Sequence, residues 1–342
     1  MITIKHPIEF PNTYPLDRIG PLKDLLFFDI ETTGFSGETS QLYLIGCTYF
    51  DGFGWKLIQW FADTRQAEKE LLDAFFEFLK RFKILIHFNG DRFDIPYLLK
   101  CCERLGLDYH FDDLISIDIF KKIKPYRKLL KLENMKQKSI EQFLGVHRED
   151  KYNGGQLIDV YREYLHTHEK FLFDLLHNAD DLRGMPSILP ILNYADLFES
   201  DFTLCSHKLY SYTDEAGYSH PFVNLLWESP YSVPIPLEYT LNPLSLELHD
   251  NCLACNLTLY EGTLKYFYPD YQNYYYLPLE DTAIHKSIGE YVDRSARKKA
   301  TAKNCYSKKE GLFLPQFGSL WEPSFKEEYK SSLTYTLYDD KT

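Results

Sequence analysis

At 342 residues the chain exceeds the roughly 100–200 residues of one ordinary domain, so two domains are expected and a disulfide-stapled mini-protein is excluded. With 44% hydrophobic, 26% charged and 16% aromatic residues, against 17 Gly and 17 Pro, the composition excludes disordered, collagen-like and low-complexity classes. The net charge of −12 is spread over both halves, 25 basic and 29 acidic residues before position 191 and 13 and 21 after it, so nucleic acid stays open as a partner wherever basic residues cluster.

The first twenty residues are broken by Pro7, Pro11 and Pro15, which argues against a secretory signal, and no apolar run approaches the ~18–20 residues of a membrane span. A soluble, cytoplasmic protein is expected, its seven irregularly spaced cysteines reduced. Three strands with short antiparallel connections are predicted at Leu25–Ile30, Leu42–Phe50 and Trp55–Phe61, the last two separated by the turn Asp51-Gly52-Phe53-Gly54. Ala67, Leu71, Leu72, Phe75, Phe76 and Leu79 then share one helix face within 66–82. A strand at 83–88, a helix at 93–105 and a strand at 116–119 follow, then helices at 139–144, 155–165 and 168–182. The order describes a mixed α/β sheet flanked by helices. Beyond residue 200, runs at 204–212, 244–249, 253–260, 263–268 and 274–277 read as a β-meander, with a helix from about 282 to 300. The expected division is an extension at 1–21, an α/β domain at 22–199 and a smaller β-rich domain at 200–342.

Three acidic pieces carry chemistry. Asp29 and Glu31 close the first strand on one side, where two like charges need a cation between them. A hard oxygen-seeking ion, Mg²⁺ or Mn²⁺, suits such a pair better than zinc. Asp94 falls in the first turn of a helix, favoured there by the dipole, after His87-Phe88-Asn89-Gly90. His177 and Asp181, four apart, would share a helix face. Taken singly, each also fits a solvated surface acid.

Together, Asp29-Ile30-Glu31-Thr32, Asn89-x-x-x-Phe93-Asp94 and His177-x-x-x-Asp181 resemble the ordered motifs of the DEDD 3′–5′ exonucleases of the RNase H-like superfamily. Phe93-Asp94-Ile95-Pro96, Asp118-Ile119-Phe120, Lys138-Ser139-Ile140-Glu141 and Tyr161-Arg162-Glu163-Tyr164 are similar to the bacterial YprB-type domain, over residues 22–190. The resemblance implies an RNase H-like fold and phosphodiester hydrolysis with two divalent cations, Mg²⁺ or Mn²⁺, roughly 3.5–4 Å apart. It implies Asp29, Glu31, Asp94 and Asp181 as metal ligands and His177 as the residue that orients or deprotonates water. His177 stands at the four-residue spacing of the tyrosine subfamilies, and Asp180 is the alternative ligand. Thr32 and Asn89 would face the substrate, single-stranded DNA or RNA 3′ ends.

The stretch 120–138 holds Lys121, Lys122, Lys124, Arg127, Lys128, Lys131, Lys136 and Lys138 against Glu133 alone, which suits phosphate contact. A second basic group, Arg294, Arg297, Lys298, Lys299, Lys303, Lys308 and Lys309, is sparser. Cys252 and Cys255 form a lone C-x-x-C, read as small buried residues of a strand ahead of a zinc site. The alternative to an active nuclease is a nucleic-acid-binding scaffold that keeps the fold without turnover.

Overall fold

The computed structural model describes residues 1–147, 154–176, 180–318 and 320–339. It falls into two units, Met1–Asp201 with Pro230–Pro236, and Phe202–Ser229 with Leu237–Thr342. Among the described residues no helix is long and apolar enough to cross a membrane.

Unit 1 is a six-stranded mixed sheet with helices, the fold class expected from the order of its elements. Its strands are β1 (Ile2–Pro7), β2 (Leu25–Thr32), β3 (Leu42–Phe50), β4 (Trp55–Phe61), β5 (Ile84–His87) and β6 (Ile115–Asp118), in the spatial order β1-β4-β3-β2-β5-β6. The first four pair antiparallel, whereas β5 and β6 run parallel to β2. The helices are α1 (Glu68–Leu79), α2 (Asp94–Leu105), α3 (Ile119–Ile123), α4 (Gln137–Phe143), α5 (Gly154–Thr167), α6 (Lys170–Leu176), α7 (Asp180–Ile188) and α8 (Leu192–Glu199).

The apolar periodicity places the core. Leu71, Leu72, Phe75, Phe76 and Leu79 of α1 are buried against Leu26, Phe28 and Ile30 of β2, with the Phe28 and Phe75 rings stacked at 5.8 Å. Gly106, at φ 65°, ends α2 in the left-handed conformation that glycine adopts without a Cβ clash, and its amide caps Cys102 and Glu103.

One helix is corrected. Of the helix expected over 168–182, Lys170–Leu176 (α6) and the start of α7 are helical, and 177–179 lie outside the described residues. Asp181 stands in the first turn of α7, where its charge complements a helix N-terminus. The helix expected at 282–300 is instead two short strands, β14 (Thr282–His285) and β15 (Lys298–Lys299), which flank β13 (Tyr274–Leu277), with single helical turns at α9 (Lys286–Gly289) and Arg294–Ala296 between them. Pairing with the aromatic strand β13 overrides helical periodicity there.

Unit 2 adds β7 (Thr203–Thr213), β8 (Ser219–Glu228), β9 (Leu237–Leu241), β10 (Leu244–His249), β11 (Cys252–Thr258), β12 (Tyr260–Phe267), β16 (Tyr306–Gln316) and β17 (Thr334–Leu337). The larger sheet is ordered β7-β8-β11-β10-β9, so β8 departs from a simple meander by pairing with both β7 and β11. Cys252 and Cys255 stand three apart on β11 and so point to opposite faces, and among the described residues neither belongs to a cluster that could hold a metal.

Candidate metal centre

β2 presents its acids by strand alternation: Asp29 lies opposite Gly46 of β3 and Glu31 opposite Leu44, both on one face. β5 pairs with β2 only from Leu25 to Phe27. Past that point the Ile30 amide is free of β5 and donates to the Asp94 carboxylate at the start of α2. Asp94 is buried, and its own amide also favours its anion.

Asp181 arrives from above. α7 packs on β2, β3 and α4, and two glycines let it come close. A Cβ on Gly46 would lie 2.3 Å from Leu182 Cδ1, and one on Gly184 would lie 2.4 Å from Glu141 Oε1. With Leu182 buried beside Gly46, directly across from Asp29, carboxylate oxygens of Asp29, Glu31 and Asp181 all lie within 4.8 Å of one another. Two oxygens on one Mg²⁺ at about 2.1 Å are at most about 4.2 Å apart, so the set needs little adjustment to share a hard cation.

The electrostatics show the strain of assembling these acids. Burial, then repulsion from Asp94, Asp181 and Glu31, holds the Asp29 carboxyl well above the usual range. Burial first and Asp181 second push Glu31 up to about 7, opposed by the Tyr43 hydroxyl, which donates to Glu31 Oε2 at 3.4 Å. Burial likewise takes Asp94 up to about 7. A divalent cation would relieve all three at once.

The turn from β5 to α2 is tied by a separate knot. Asp118 accepts from the amides of Asn89 (2.9 Å), Asp91 (3.3 Å) and Lys121 (3.2 Å). His87 Nδ1 accepts from the Gly90 amide at 3.0 Å, so the proton of the neutral ring belongs on Nε2, facing Ser116 Oγ at 2.8 Å. Ser116 in turn donates to Asp91 Oδ1 at 2.6 Å, and burial lowers the His87 pKa, in keeping with a neutral ring. His87, Asp91 and Asp118 are close enough to hold a metal, but their donors and acceptors are occupied by this network, with Lys121 on Asp91 at 2.9 Å. The knot holds Asn89 at φ 65° and aims the following turn so that Asp94 reaches Ile30. Gly90 is required, because a Cβ there would sit 2.6 Å from His87 Nδ1.

Of the residues singled out from sequence, Asp29, Glu31 and Asp181 come together and Asp94 stands close enough for its charge to act on Asp29 and Glu31, whereas His177 lies outside the described residues, as does the side chain of Asp180. Thr32 donates to Gly34 O at 2.8 Å and shapes the turn after β2. The basic stretch is divided by its partners: Lys121 is bound to Asp91, Lys122 to Glu199, and Arg127 to the carbonyls of Leu132 and Glu133. Lys124 lies 6.0 Å from the Phe120 ring, and Lys128 and Lys131 are exposed. Sequence reasoning missed Tyr43, whose ring stacks on Tyr161 at 4.4 Å, and Phe35, which is 95% exposed and edge-on to Phe93 at 6.4 Å. A large aromatic between Gly34 and Ser36, in a turn beside an acidic strand end, was the available signal for Phe35.

Gly46→Ala tests this assembly. The new methyl must displace Leu182 and with it α7, and misplacing a group by about 1 Å can cost about 10²-fold in rate. Any metal-dependent turnover should therefore fall by one to two orders of magnitude, measured beside circular dichroism showing retained secondary structure.

Residues 26–193 match the RNase_H_2 family, described as belonging to the RNase_H superfamily. The chain is 31% identical over 120 residues to a DNA polymerase of Thermococcus kodakarensis, covering 31% of this chain and 7% of the polymerase. It is 31% identical over 118 residues to a DNA polymerase of Pyrococcus glycovorans, covering 30% and 15%. The matched segment is thus a small part of those relatives. Among solved structures, the family B DNA polymerase of Pyrobaculum calidifontis aligns with TM-score 0.40 and 14% identity, over 73% of this chain and 35% of that one. The zinc-bound E. coli ExoI–ssDNA complex aligns with TM-score 0.29 and 12% identity, over 60% and 54%.

Proposed function

We propose that the RNase H-like region, residues 26–193, is a metal-dependent 3′–5′ exonuclease that hydrolyses single-stranded nucleic-acid ends, with Asp29, Glu31, Asp94 and Asp181 as the ligands of two divalent cations. The observation that carries this reading is the convergence of Asp29 and Glu31, from two positions of one strand, with Asp181, from a helix N-terminus, to within 4.8 Å of one another, while Asp94 stands near enough to repel Asp29 and Glu31. An all-oxygen donor set favours Mg²⁺ or Mn²⁺. When bound, such ions lower the pKa of an attacking water and stabilise a leaving oxygen.

The chain's own residues do the rest. Tyr43 fixes the Glu31 carboxylate through its hydroxyl, and the Ile30 amide fixes that of Asp94. Phe35 offers an exposed ring on which a terminal base can stack, with Asn89 and Thr32 on the flanking turns. Lys124, Lys128 and Lys131 supply positive charge for phosphates, while Lys121 and Arg127 shape the surface that carries them. His177 keeps the role of orienting or deprotonating water by its place four residues before Asp181.

The test is cleavage of 5′-labelled single-stranded DNA and its RNA counterpart with Mn²⁺, Mg²⁺ or EDTA. A ladder shortening from the 3′ end, present with either metal and absent with EDTA, is the expected result, and the two strands compared rank DNA against RNA. Internal cuts would replace the exonuclease reading by an endonuclease. Salt-sensitive binding without cleavage of either strand would overturn the enzyme in favour of a scaffold.

A further inference from the structure

A concentration of positive charge marks unit 2. Residues 191–342 hold 13 basic residues, and eight of them fall between positions 282 and 309, against only two acids, Glu290 and Asp293. Four of them, Lys286, Arg297, Lys298 and Lys299, gather about β13. Lys299 lies opposite Tyr275 in the β13–β15 ladder and Lys298 opposite Tyr276. The Arg297 guanidinium sits 4.5 Å from the centre of the Tyr275 ring, and Lys286 Nζ sits 5.8 Å from it. Gly289 makes this possible: a Cβ there would lie 2.8 Å from the Tyr275 ring, and its carbonyl accepts from Arg297. Lys308, on β16, is paired with Asp281. Among the described residues Arg294, Lys298, Lys299, Lys303 and Lys309 have no carboxylate partner, and all five are exposed. Tyr291, 91% exposed, stands in the same segment.

Lysine on an edge strand also deters edge-to-edge pairing. That accounts for Lys298 and Lys299 but not for Arg294, Lys303 and Lys309, which lie off the β15 edge. Holding several like charges around one tyrosine in a chain of net −12 costs self-repulsion, which a polyanion on this surface would remove. Cations interleaved with an exposed aromatic ring are the chemistry of a single strand, its phosphates on the cations and a base on the ring.

We propose that the β13–β15 surface of unit 2 is a second nucleic-acid site that grips the phosphate backbone of a single strand. It deepens the nuclease reading by giving unit 2 a hold on the same class of substrate. The test is binding of fluorescein-labelled oligo-dT to the full chain in EDTA, where no metal-dependent cleavage occurs, across a range of KCl concentrations. Neutralising R294Q/K298Q/K299Q/K303Q together should weaken binding at least tenfold at low salt. It should also reduce the slope of log affinity against log salt by up to about 3, since each single-strand phosphate contact contributes about 0.7. The charge-preserving K298R/K299R/K303R should bind like the wild type, which separates charge from folding. Tyr291→Ala should weaken oligo-dT binding but not duplex binding.

An unchanged slope in the quadruple variant, or no binding by the wild type, overturns the site. Equal affinity for duplex, with Tyr291→Ala silent, overturns the single-strand assignment. A wild type that cleaves nothing with Mg²⁺ or Mn²⁺ yet shows the slope change would sink the exonuclease reading and leave this one standing.

Discussion

Asp29→Asn should abolish cleavage and raise the melting temperature of the metal-free protein at the same time. The two effects have one cause. Asp29 is held well above the usual carboxylate range by its surroundings, by burial and by the charges of Asp94, Asp181 and Glu31. Replacing it with an amide of the same shape removes one source of repulsion, and for a folding unit of about 150–250 residues, the size range of unit 1, about 1 kcal/mol corresponds to roughly 2–4 °C. The same change removes a ligand oxygen from the Asp29, Glu31 and Asp181 set. Loss of a group acting on the reacting atoms commonly costs 10²–10³-fold, and turnover should fall by at least about that much. Melts with Mg²⁺ should reverse the order, the wild type gaining stability and the variant gaining little. A variant that cleaves like the wild type would remove Asp29 from the chemistry. A variant that melts lower in EDTA would show that its carboxylate is better satisfied than its neighbours imply.

The parts of this site that were legible in the sequence are those set by local periodicity. Asp29 and Glu31 lie two apart on a strand and must share a face, and Asp94 opens a helix whose dipole favours it. Their convergence with Asp181 was readable only through the motif resemblance. The physical cause, Gly46 and Gly184 admitting α7, depends on a cross-strand register and a helix crossing that no single segment encodes. Tyr43 was illegible for the same reason, since it belongs to the neighbouring strand. His87 and Asp118 lie 31 positions apart and meet only because β5 and β6 pair in parallel. In unit 2, alternation identified β10 and β11, but β8 carries Pro221 and Asn224 and β16 carries Lys308-Lys309-Glu310-Gly311, compositions that hide a strand. The segment 282–300 shows the opposite failure: its apolar spacing is helical, yet Tyr274–Leu277 recruits Thr282–His285 as a partner strand. Asp281, at φ 48°, turns the chain between them and accepts from Tyr276 at 2.7 Å and Tyr306 at 2.5 Å.

The raised carboxyls also make stability depend on pH in a direction opposite to that of most acidic proteins. Glu31 and Asp94 sit at about 7, against 4.5 and 3.8 for the free groups. Below about pH 4 both carboxyls are protonated whether the chain is folded or not, and their contribution is fully present. Between about pH 4 and 7 the unfolded chain gives up these protons first, so the folded state binds more of them and stability falls as pH rises. A carboxyl moved from 4.5 to about 7 loses on the order of 3 kcal/mol across that window. His87, whose pKa is lowered by burial, acts in the other direction, losing stability as the medium turns acid. The measurement is therefore a difference: unfolding free energy in EDTA from pH 5 to 8, wild type minus the triple variant Asp29→Asn, Glu31→Gln, Asp94→Asn, in which His87 cancels. The difference should become more unfavourable to the wild type by a few kcal/mol toward pH 8. Divalent metal should invert it, because the cation competes with protons for the same oxygens: Mg²⁺ should raise the wild-type midpoint more at pH 8 than at pH 5 and leave the triple variant unmoved. A flat difference in EDTA would mean that the carboxyls are already neutralised within the fold, and an Mg²⁺ response equal in both proteins would place the ion elsewhere.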